Sequence, residues 1–326
     1  MRILTFNVHG VLTQSLVTAL RLLGHELWLP VGGPEDWKNR KLGAVEGSLD
    51  WTGGAMGVGP GAIHDMPFDA VLIPGHDVQR DVLRWVWPAQ EAHGARLIFF
   101  CGNELPHYRW DLAQNVMAAD RASYEYAQAR QMHSISYYPW FDFEQFPFAG
   151  TSDVPIIRTY IYNYHKRFKK DFEAIERMIA KSPGLALEHV DGTDHQAVPG
   201  FMRDSMLTAH FKPKDGYGYS IIESLASGRP VFMPRKYVTG KTLENWVIDG
   251  QSAILFNQEE EGLEKLNYFV RNRDYRHELQ VNCSKVVKAR IDNDRQTAAL
   301  GAFLENLRDQ PPKSVSSRLL DLWKRH

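Results

Sequence analysis

The stretch Asp215-Gly216-Tyr217-Gly218-Tyr219-Ser220-Ile221-Ile222-Glu223, continuing through Ser224-Leu225-Ala226-Ser227-Gly228-Arg229-Pro230-Val231, is the most informative part of this sequence. Its pattern predicts a glycine-containing loop, a short amphipathic helix, a glycine stop and a buried strand. Gly216 and Gly218 permit unusual dihedrals and close approach, so the loop N–H groups can point at a phosphate. Glu223, about one turn into the helix, can accept two hydrogen bonds from the vicinal hydroxyls of a ribose. This combination favours a nucleotide-sugar as ligand.

The segment resembles the donor site of GT-B glycosyltransferases, and specifically that of glycosyltransferase family four. Members of that family carry two acidic residues separated by seven others, then a helix and a small-Gly-x-Pro-Val turn. The same spacing runs here from Asp215 to Glu223, and "ESLASGRPV" at 223–231 matches the family's "EAMASGxPV". The first acid is usually Glu in the family and is Asp here, one methylene shorter. An ordinary strand–loop–helix unit of another α/β protein is the alternative interpretation.

The resemblance implies a fold and a reaction class. The fold is α/β of the GT-B type, with two Rossmann-like domains that face each other across a cleft. The reaction is transfer of a sugar from a nucleotide-sugar, such as a UDP- or GDP-sugar, to an acceptor hydroxyl. The resemblance further implies retention of configuration and no need for a metal or another cofactor.

Length and composition agree with two globular domains. The chain has 326 residues, enough for two α/β domains, and its 44% hydrophobic and 24% charged residues are ordinary for a globular protein. The formal net charge of −1 means that overall charge does not recruit nucleic acid or anionic membranes. Cys101 and Cys283 lie far apart and suggest reduced, buried thiols. With no signal peptide and no membrane-spanning run in the sequence, we expect a cytoplasmic protein.

Apolar runs alternate with helical patterns along the chain, which predicts parallel sheets. We place the N-terminal, acceptor-side domain at 1–150 and the C-terminal, donor-side domain at 151–326, with a last helix that can return to the first domain. Predicted strands are 3–8, 27–29, 68–74, 96–101, 155–162, 185–190, 206–211, 231–234 and 253–256. Predicted helices are 13–23, 82–93, 168–180, 199–205, 241–248, 260–271 and 274–290, with a final one in "SSRLLDLWKRH" at 316–326.

The segment 43–61 contains seven glycines and predicts a mobile loop. In a transferase such a loop can close over an acceptor, with Trp51 as a stacking surface. A disordered surface insertion is the alternative.

A nucleoside diphosphate leaving group also requires positive charge. The segment His165-Lys166-Arg167-Phe168-Lys169-Lys170 supplies it directly after the first strand of the second domain. Family members place an Arg and a Lys in this region. The helical phase makes Lys170 the best match for the family Lys, and Lys166 or Arg167 would replace the Arg. A solvated basic helix start is the alternative.

The resemblance assigns the remaining roles. Glu223 would hold the ribose, Asp215 would approach the transferred sugar, and Gly216, Tyr217 and Gly218 would form the donor loop. Three strand ends of the first domain would face the cleft. His76 matches a cleft histidine of related enzymes and joins Asp215 as a catalytic candidate, and Gly10 is expected on the donor side. The acceptor-side candidates are His9, Trp51, Asn103 and Glu104, of which Asn103 or Cys101 replaces a second family histidine and Glu104 would be the base in an inverting reaction.

No metal site is predicted, because the sequence has no Asp-x-Asp pair of the GT-A type and its histidines are scattered. The acceptor remains open among a glycan, a lipid-linked sugar and a small molecule. The sequence also leaves two alternative functions open. One is a phage-type DNA glycosyltransferase acting on modified bases; the other is an inactive GT-B protein that only binds nucleotide-sugars or glycans.

Overall fold

The computed structural model describes residues 1–101, 108–161, 163–191, 195–213 and 217–309. The chain divides into two compact units. The first consists of Met1–Trp140 together with the segment that begins at Asn293, and the second is Phe141–Asp292. No helix within the described ranges combines the length and the apolar character that crossing a bilayer requires.

The first unit is built on a seven-stranded parallel sheet with the strand order β3-β2-β1-β4-β5-β6-β7. Its strands are short, and those at the centre are buried on both faces, as parallel strands covered by helices on both faces are. Strands β4 and β5 show this burial most clearly in the sequence, because nearly all of their residues are apolar. The strands are β1 (Arg2–Leu4), β2 (Glu26–Pro30), β3 (Met56–Val58), β4 (Ala70–Ile73), β5 (Arg96–Cys101), β6 (Asn115–Ala118) and β7 (His133–Ser136).

Helices connect these strands: α1 (Gly10–Leu22), α2 (His76–Asp81), α3 (Trp87–Ala92) and α4 (Arg121–Ala129). The predicted single helix at 82–93 is longer in the structure and includes a π-helical turn at Val82–Val86 between α2 and α3. Pro88 follows that turn, and because proline has no N–H it cannot continue the regular hydrogen-bond ladder. Asp120 caps α4, since its side chain accepts a hydrogen bond from the Ser123 N–H at 2.9 Å.

The glycine-rich segment 43–61 is not simply a loop. It contains a 3₁₀ turn at Asp50–Thr52 and the edge strand β3, which pairs with β2. Gly43 explains part of the glycine content: at φ +57° a Cβ here would lie 2.4 Å from the Asn7 carbonyl oxygen. The sequence did not predict β3, because a strand of three residues is too short to show an alternating apolar pattern.

The second unit is built on a five-stranded parallel sheet with the order β12-β11-β10-β8-β9. Three of its strands, β8, β10 and β11, lie at the centre of the sheet, and nearly all of their residues are buried. The strands are β8 (Ile156–Thr159), β9 (Ala186–His189), β10 (Leu207–Ala209), β11 (Val231–Pro234) and β12 (Ala253–Phe256).

Helices again link these strands: α5 (Tyr164–Arg167), α6 (Lys169–Ala180), α7 (Val198–Arg203) and α8 (Tyr219–Ala226). Two more, α9 (Glu259–Arg271) and α10 (Arg273–Arg290), follow the last strand. The helix predicted at 241–248 is only a 3₁₀ turn at Thr242–Asn245. The helices α9 and α10 start within one residue of their predicted positions.

A last described helix, α11 (Asn293–Glu305), belongs to the first unit. Phe303 on this helix stacks on His133 of β7 with ring centroids 4.6 Å apart. The predicted final helix at 316–326 lies outside the described residues. The sequence-based boundary near 150 and the division after Trp140 differ, because residues 141–150 pack on the second unit; the Ala149 N–H, for example, donates to the Ser227 carbonyl at 3.2 Å.

A buried arginine stabilises the turn after α8. Arg229 has no exposed surface, and its guanidinium donates to the backbone carbonyls of Met202, Gly150, Gly228 and Arg203 at 2.8–2.9 Å. Because an unsatisfied buried charge is costly, these bonds fix the position of the turn. Burial lowers the pKa of Arg229.

Gly228 offers a test of packing at this turn. It has φ +81°, and a Cβ here would lie 2.5 Å from Phe148, whereas Gly184 has φ +83° with nothing within 4 Å of its Cβ position. We expect Gly184→Ala to cost roughly 1–2 kcal/mol of unfolding free energy for the left-handed backbone. Gly228→Ala should cost about 1–3 kcal/mol more because of the clash. Denaturant titration of both variants measures the difference, and equal destabilisation would contradict this packing.

Candidate functional site

In each unit the strand order reverses direction once, and ligands of open α/β sheets bind outside the carboxyl ends of the strands at that point. The reversal lies between β1 and β4 in the first unit and between β8 and β10 in the second. Each unit therefore has one preferred ligand-binding edge. The predicted site residues within the described ranges lie mainly on segments that follow these strands.

In the second unit, the ends of β8 and β10 are tied together by Tyr164. This side chain is fully buried. Its hydroxyl donates to the Phe211 carbonyl at 2.8 Å and accepts from the Phe211 N–H at 3.0 Å. A single buried phenol thus satisfies both backbone groups of the residue two positions after β10. These two bonds tie residue 211, shortly before the glycine loop, to α5, the helix that carries part of the basic segment.

Gly218 is the residue at which the loop enters α8. It adopts the left-handed conformation with φ 64° and ψ 69°. A Cβ at this position would lie 2.8 Å from Ile221 Cδ1 and 2.9 Å from Leu243 Cδ2. Both its dihedrals and its surroundings therefore require glycine. Asp215 and Gly216 lie outside the described residues.

Tyr217 sits beside Gly218 with its side chain 6% exposed. Its ring packs edge-to-face on Tyr219, with centroids 5.9 Å apart and an interplanar angle of 75°. The Tyr217 ring is therefore packed against Tyr219, the first residue of α8. Because this side chain is buried, we expect Tyr217 to contact a donor through its backbone N–H group.

Glu223 lies on α8 and is 5% exposed. Its neighbour Ser224 fixes the helix on the sheet, since the Ser224 hydroxyl donates to the Arg229 carbonyl at 2.9 Å and contacts the Thr208 hydroxyl at 2.5 Å. Burial raises the pKa of the Tyr160 phenol, and the nearby Glu223 carboxylate acts in the same direction. Glu223 thus lies close to the residue that follows β8, at the reversal point of the sheet.

The basic segment after β8 has a more open position. His165, Lys166, Arg167 and Lys170 are all exposed on α5 and the start of α6. Arg167 lies over the Phe168 ring at 5.5 Å. The turn before these residues is held by Asn163, whose N–H donates to Asp191 Oδ2 at 3.0 Å. The structure places the cluster at the predicted edge but does not bury any of these cations.

Two residues of this edge were missed by sequence reasoning. Tyr160 and Lys241 follow β8 and the turn after β11, respectively, and both are partly buried. The Lys241 ammonium donates to the Pro213 carbonyl. The only sequence signal for Lys241 is a Gly-Lys pair after a buried strand, which alone is too weak to assign a role.

In the first unit, Gly10 and Trp51 are in contact. A Cβ on Gly10 would lie 3.5 Å from Trp51 Cζ3, and Gln14 Nε2 donates to the Trp51 carbonyl at 2.6 Å. Trp51 is 37% exposed. The segment with β3 is therefore anchored on α1, and the exposed residues His9 and Gly10 lie at the start of that helix.

His76 begins α2 after β4, at the same edge. A Cβ on the preceding Gly75 would lie 3.8 Å from Val8 Cγ2, which shows that the ends of β1 and β4 are adjacent. His76 Nε2 lies 3.1 Å from Asp77 Oδ1, and its ring is edge-to-face with Tyr108 at 6.3 Å. The structure thus brings His76 and the His9–Gly10 turn to one edge. Asn103 and Glu104 lie outside the described residues.

Cys101, which replaces a family histidine by resemblance, is fully buried at the end of β5. Burial raises its pKa well above the usual range, and nearby Asp120 adds to this. Such a thiol stays protonated and does not act as a nucleophile or acid–base group near neutral pH.

No protein-family model matches the sequence, and no curated protein does. Several solved structures do match. Sucrose-phosphate synthase from Thermosynechococcus elongatus superposes with a TM-score of 0.64 at 12% identity, over 94% of this chain and 98% of that chain. Anabaena HepE, solved with UDP-glucose, gives 0.63 at 12% identity over 94% and 100%. WaaG, a glycosyltransferase involved in lipopolysaccharide biosynthesis, gives 0.64 at 12% identity over 94% and 100%.

These likenesses cover almost the whole chain. They confirm the predicted fold class, an α/β fold with two parallel sheets as in GT-B glycosyltransferases. At this level of identity they show the fold alone, so the reaction has to be argued from the residues.

The burial of the two cysteines, Cys101 and Cys283, can be tested by thiol labelling. Both are free and fully buried, and burial raises the pKa of both. We expect neither thiol to react with Ellman's reagent at pH 8 in the native protein, and both to react in denaturant. Rapid labelling of Cys101 in the native state would contradict the buried position of the end of β5.

Proposed function

We propose that this protein is a glycosyltransferase that transfers a sugar from a nucleotide-sugar, a UDP- or GDP-sugar, to an acceptor hydroxyl. One observation carries the proposal. Glu223 is a carboxylate 5% exposed on α8, the helix that begins directly after the left-handed Gly218, and both belong to the edge where the second sheet reverses. An acidic side chain held there fits the hydroxyls of a ribose, and the glycine turn fits a diphosphate.

In this proposal, different residues bind the ribose, the diphosphate and the transferred sugar. Glu223 accepts hydrogen bonds from the ribose, and the backbone at 216–218 binds the diphosphate. Asp215 contacts the transferred sugar and stabilises the positive charge that develops on its ring in the transition state. The shorter side chain of Asp215 favours a donor sugar other than the family's usual one, either a pentose or a ring held in another register.

In the proposed reaction the bond between the anomeric carbon and the leaving phosphate oxygen breaks. A bond from the acceptor oxygen to the same carbon forms. With retention of configuration, both oxygens lie on one face of the sugar, so the acceptor proton passes to the leaving phosphate oxygen. Protein cations and backbone N–H groups stabilise the phosphate charge, and the proposed reaction needs no metal ion.

The first unit supplies the acceptor-side groups of the proposal. His76, His9 and Trp51 are partly or fully exposed at one edge of its sheet. An exposed indole and imidazoles suit a carbohydrate, a lipid-linked sugar or another polyhydroxylated acceptor. A DNA acceptor is not favoured, because the basic segment 165–170 lies in the unit with the donor motif. The two buried free thiols fit a cytoplasmic location.

A ligand screen tests the donor assignment. Nucleoside diphosphates and nucleotide-sugars should raise the melting temperature, because a ligand that binds only the native state stabilises it by about 2.7 kcal/mol at 100 times its Kd. Glu223→Gln should remove most of the shift for the best ligand, since it removes the anionic acceptor for the ribose hydroxyls. Glu176→Gln, an exposed carboxylate on α6, is the matched control. The proposal fails if no nucleotide or nucleotide-sugar shifts the melting temperature.

Asp215 variants test the chemical step. With a donor from the screen and a panel of sugar acceptors, Asp215→Asn should lower kcat roughly 100-fold or more, because it removes a charge that stabilises the transition state. Asp215→Glu should retain transfer with a changed donor preference. Assays in EDTA should show full activity. Wild-type binding of a nucleotide-sugar without transfer or hydrolysis would instead indicate the inactive binding protein.

A further inference from the structure

We propose that Lys241 binds the diphosphate of the nucleotide, as the cation that neutralises the leaving group. This inference rests on the proposed function and adds a residue outside the basic segment 165–170. It makes the turn after β11 part of the donor site. The ligand class is a nucleoside diphosphate or its sugar ester.

Lys241 lies on a segment that contacts residues on both sides of the glycine loop. The Lys241 ammonium donates to the carbonyl of Pro213, the last described residue before the loop. Two residues further along the chain, Leu243 Cδ2 would meet a Cβ on Gly218 at 2.9 Å. The segment 241–243 therefore contacts both described ends of the stretch that carries the donor motif. An ammonium group carries three N–H donors, and one of those of Lys241 binds the Pro213 carbonyl, directly before the glycine loop.

The segment that carries Lys241 is held in place by a contact with α6. The Tyr237 hydroxyl donates to Asp171 Oδ1 on α6, which ties the turn after β11 to the helix that follows the basic segment. Burial and the Asp171 carboxylate raise the pKa of Tyr237, so its hydroxyl remains a donor near neutral pH. The Lys241 ammonium lies 6.0 Å from the Tyr237 ring centroid, within range of a cation–π attraction. Tyr237 is thus a positioning residue for Lys241.

The cations at this edge of the second unit differ in their burial. Lys166, Arg167 and Lys170 are exposed, whereas Lys241 is half-buried. Water and salt screen an exposed charge strongly, and a partly buried charge interacts more strongly with a bound anion. The half-buried lysine is therefore the better placed of these four side chains to stabilise phosphate charge.

The test separates phosphate recognition from general binding. Calorimetry is performed with UDP, UMP and uridine, or with GDP, GMP and guanosine if the screen selects guanine. Lys241→Met should weaken diphosphate binding by roughly 10- to 100-fold, the loss of one charge-assisted hydrogen bond, with little change for the nucleoside. Lys236→Met is the matched control, because Lys236 is exposed beside the same ring at 5.1 Å. It should change affinity less than about twofold.

Tyr237→Phe tests the positioning role. It keeps the ring and removes the hydroxyl that binds Asp171. We expect a loss of diphosphate affinity smaller than that of Lys241→Met, again with unchanged nucleoside affinity; equal losses for both ligands would show a merely structural role.

The outcomes distinguish the two proposals. If no nucleotide raises the melting temperature in the screen and wild-type protein binds none of the three ligands used in calorimetry, the proposed function fails. If it binds the diphosphate and Lys241→Met binds it equally well, the proposed function stands and the inference about Lys241 is overturned. An unchanged melting temperature without ligand, together with unchanged nucleoside affinity, shows that the variant is folded.

Discussion

The parallel pairing of short, buried strands is the constraint on which the rest of this structure depends. The strands are three to six residues long, and the central ones leave no exposed face for polar chemistry. In open α/β sheets ligands bind outside the carboxyl ends of the strands, and the candidate site residues of this protein lie mainly on the segments that follow those ends. The same constraint explains the sequence, in which apolar runs end abruptly in glycine, histidine or acidic residues.

The second unit shows how such an edge becomes a rigid site. The buried Tyr164 hydroxyl satisfies both backbone groups of Phe211, and the buried Arg229 guanidinium binds four carbonyls around the turn after α8. Neither side chain contacts solvent. Each ties together segments that are distant in sequence, so α8 and its Glu223 are fixed before any ligand binds. Such preorganisation reduces the entropic cost of binding.

The departures from the glycosyltransferase family pattern form a consistent electrostatic picture under the proposed function. The first acid is shortened to Asp215, and the predicted counterparts of the family Arg and Lys, Lys166 or Arg167 and Lys170, are exposed. Lys241 lies instead on the turn after β11, half-buried and beside Pro213. A leaving diphosphate needs positive charge in a poorly solvated position, and that requirement concerns the location of the charge in space rather than its place in the sequence.

The sequence alone determined the fold class and the spacing of the two acidic residues Asp215 and Glu223, because both are encoded in contiguous residues. Strands β5, β11 and β12 have their predicted bounds, since each is an apolar run bordered by polar or turn residues. The spacing from Asp215 to Glu223 likewise needs no long-range information. The short edge strand β3, which lies in a glycine-rich segment, and the π-helical turn before Pro88 carried no comparable local signal.

Only the tertiary structure decided which side chains are buried around the site and which distant segments share its edge. Lys241 and Pro213 lie 28 residues apart, and Tyr164 and Phe211 lie 47 apart. Parallel strands bring such residues together through crossover connections, and no periodicity in the sequence records that approach. Local pattern therefore reveals the loop, the helix and the acids, whereas burial and long-range contact decide which cation accompanies them.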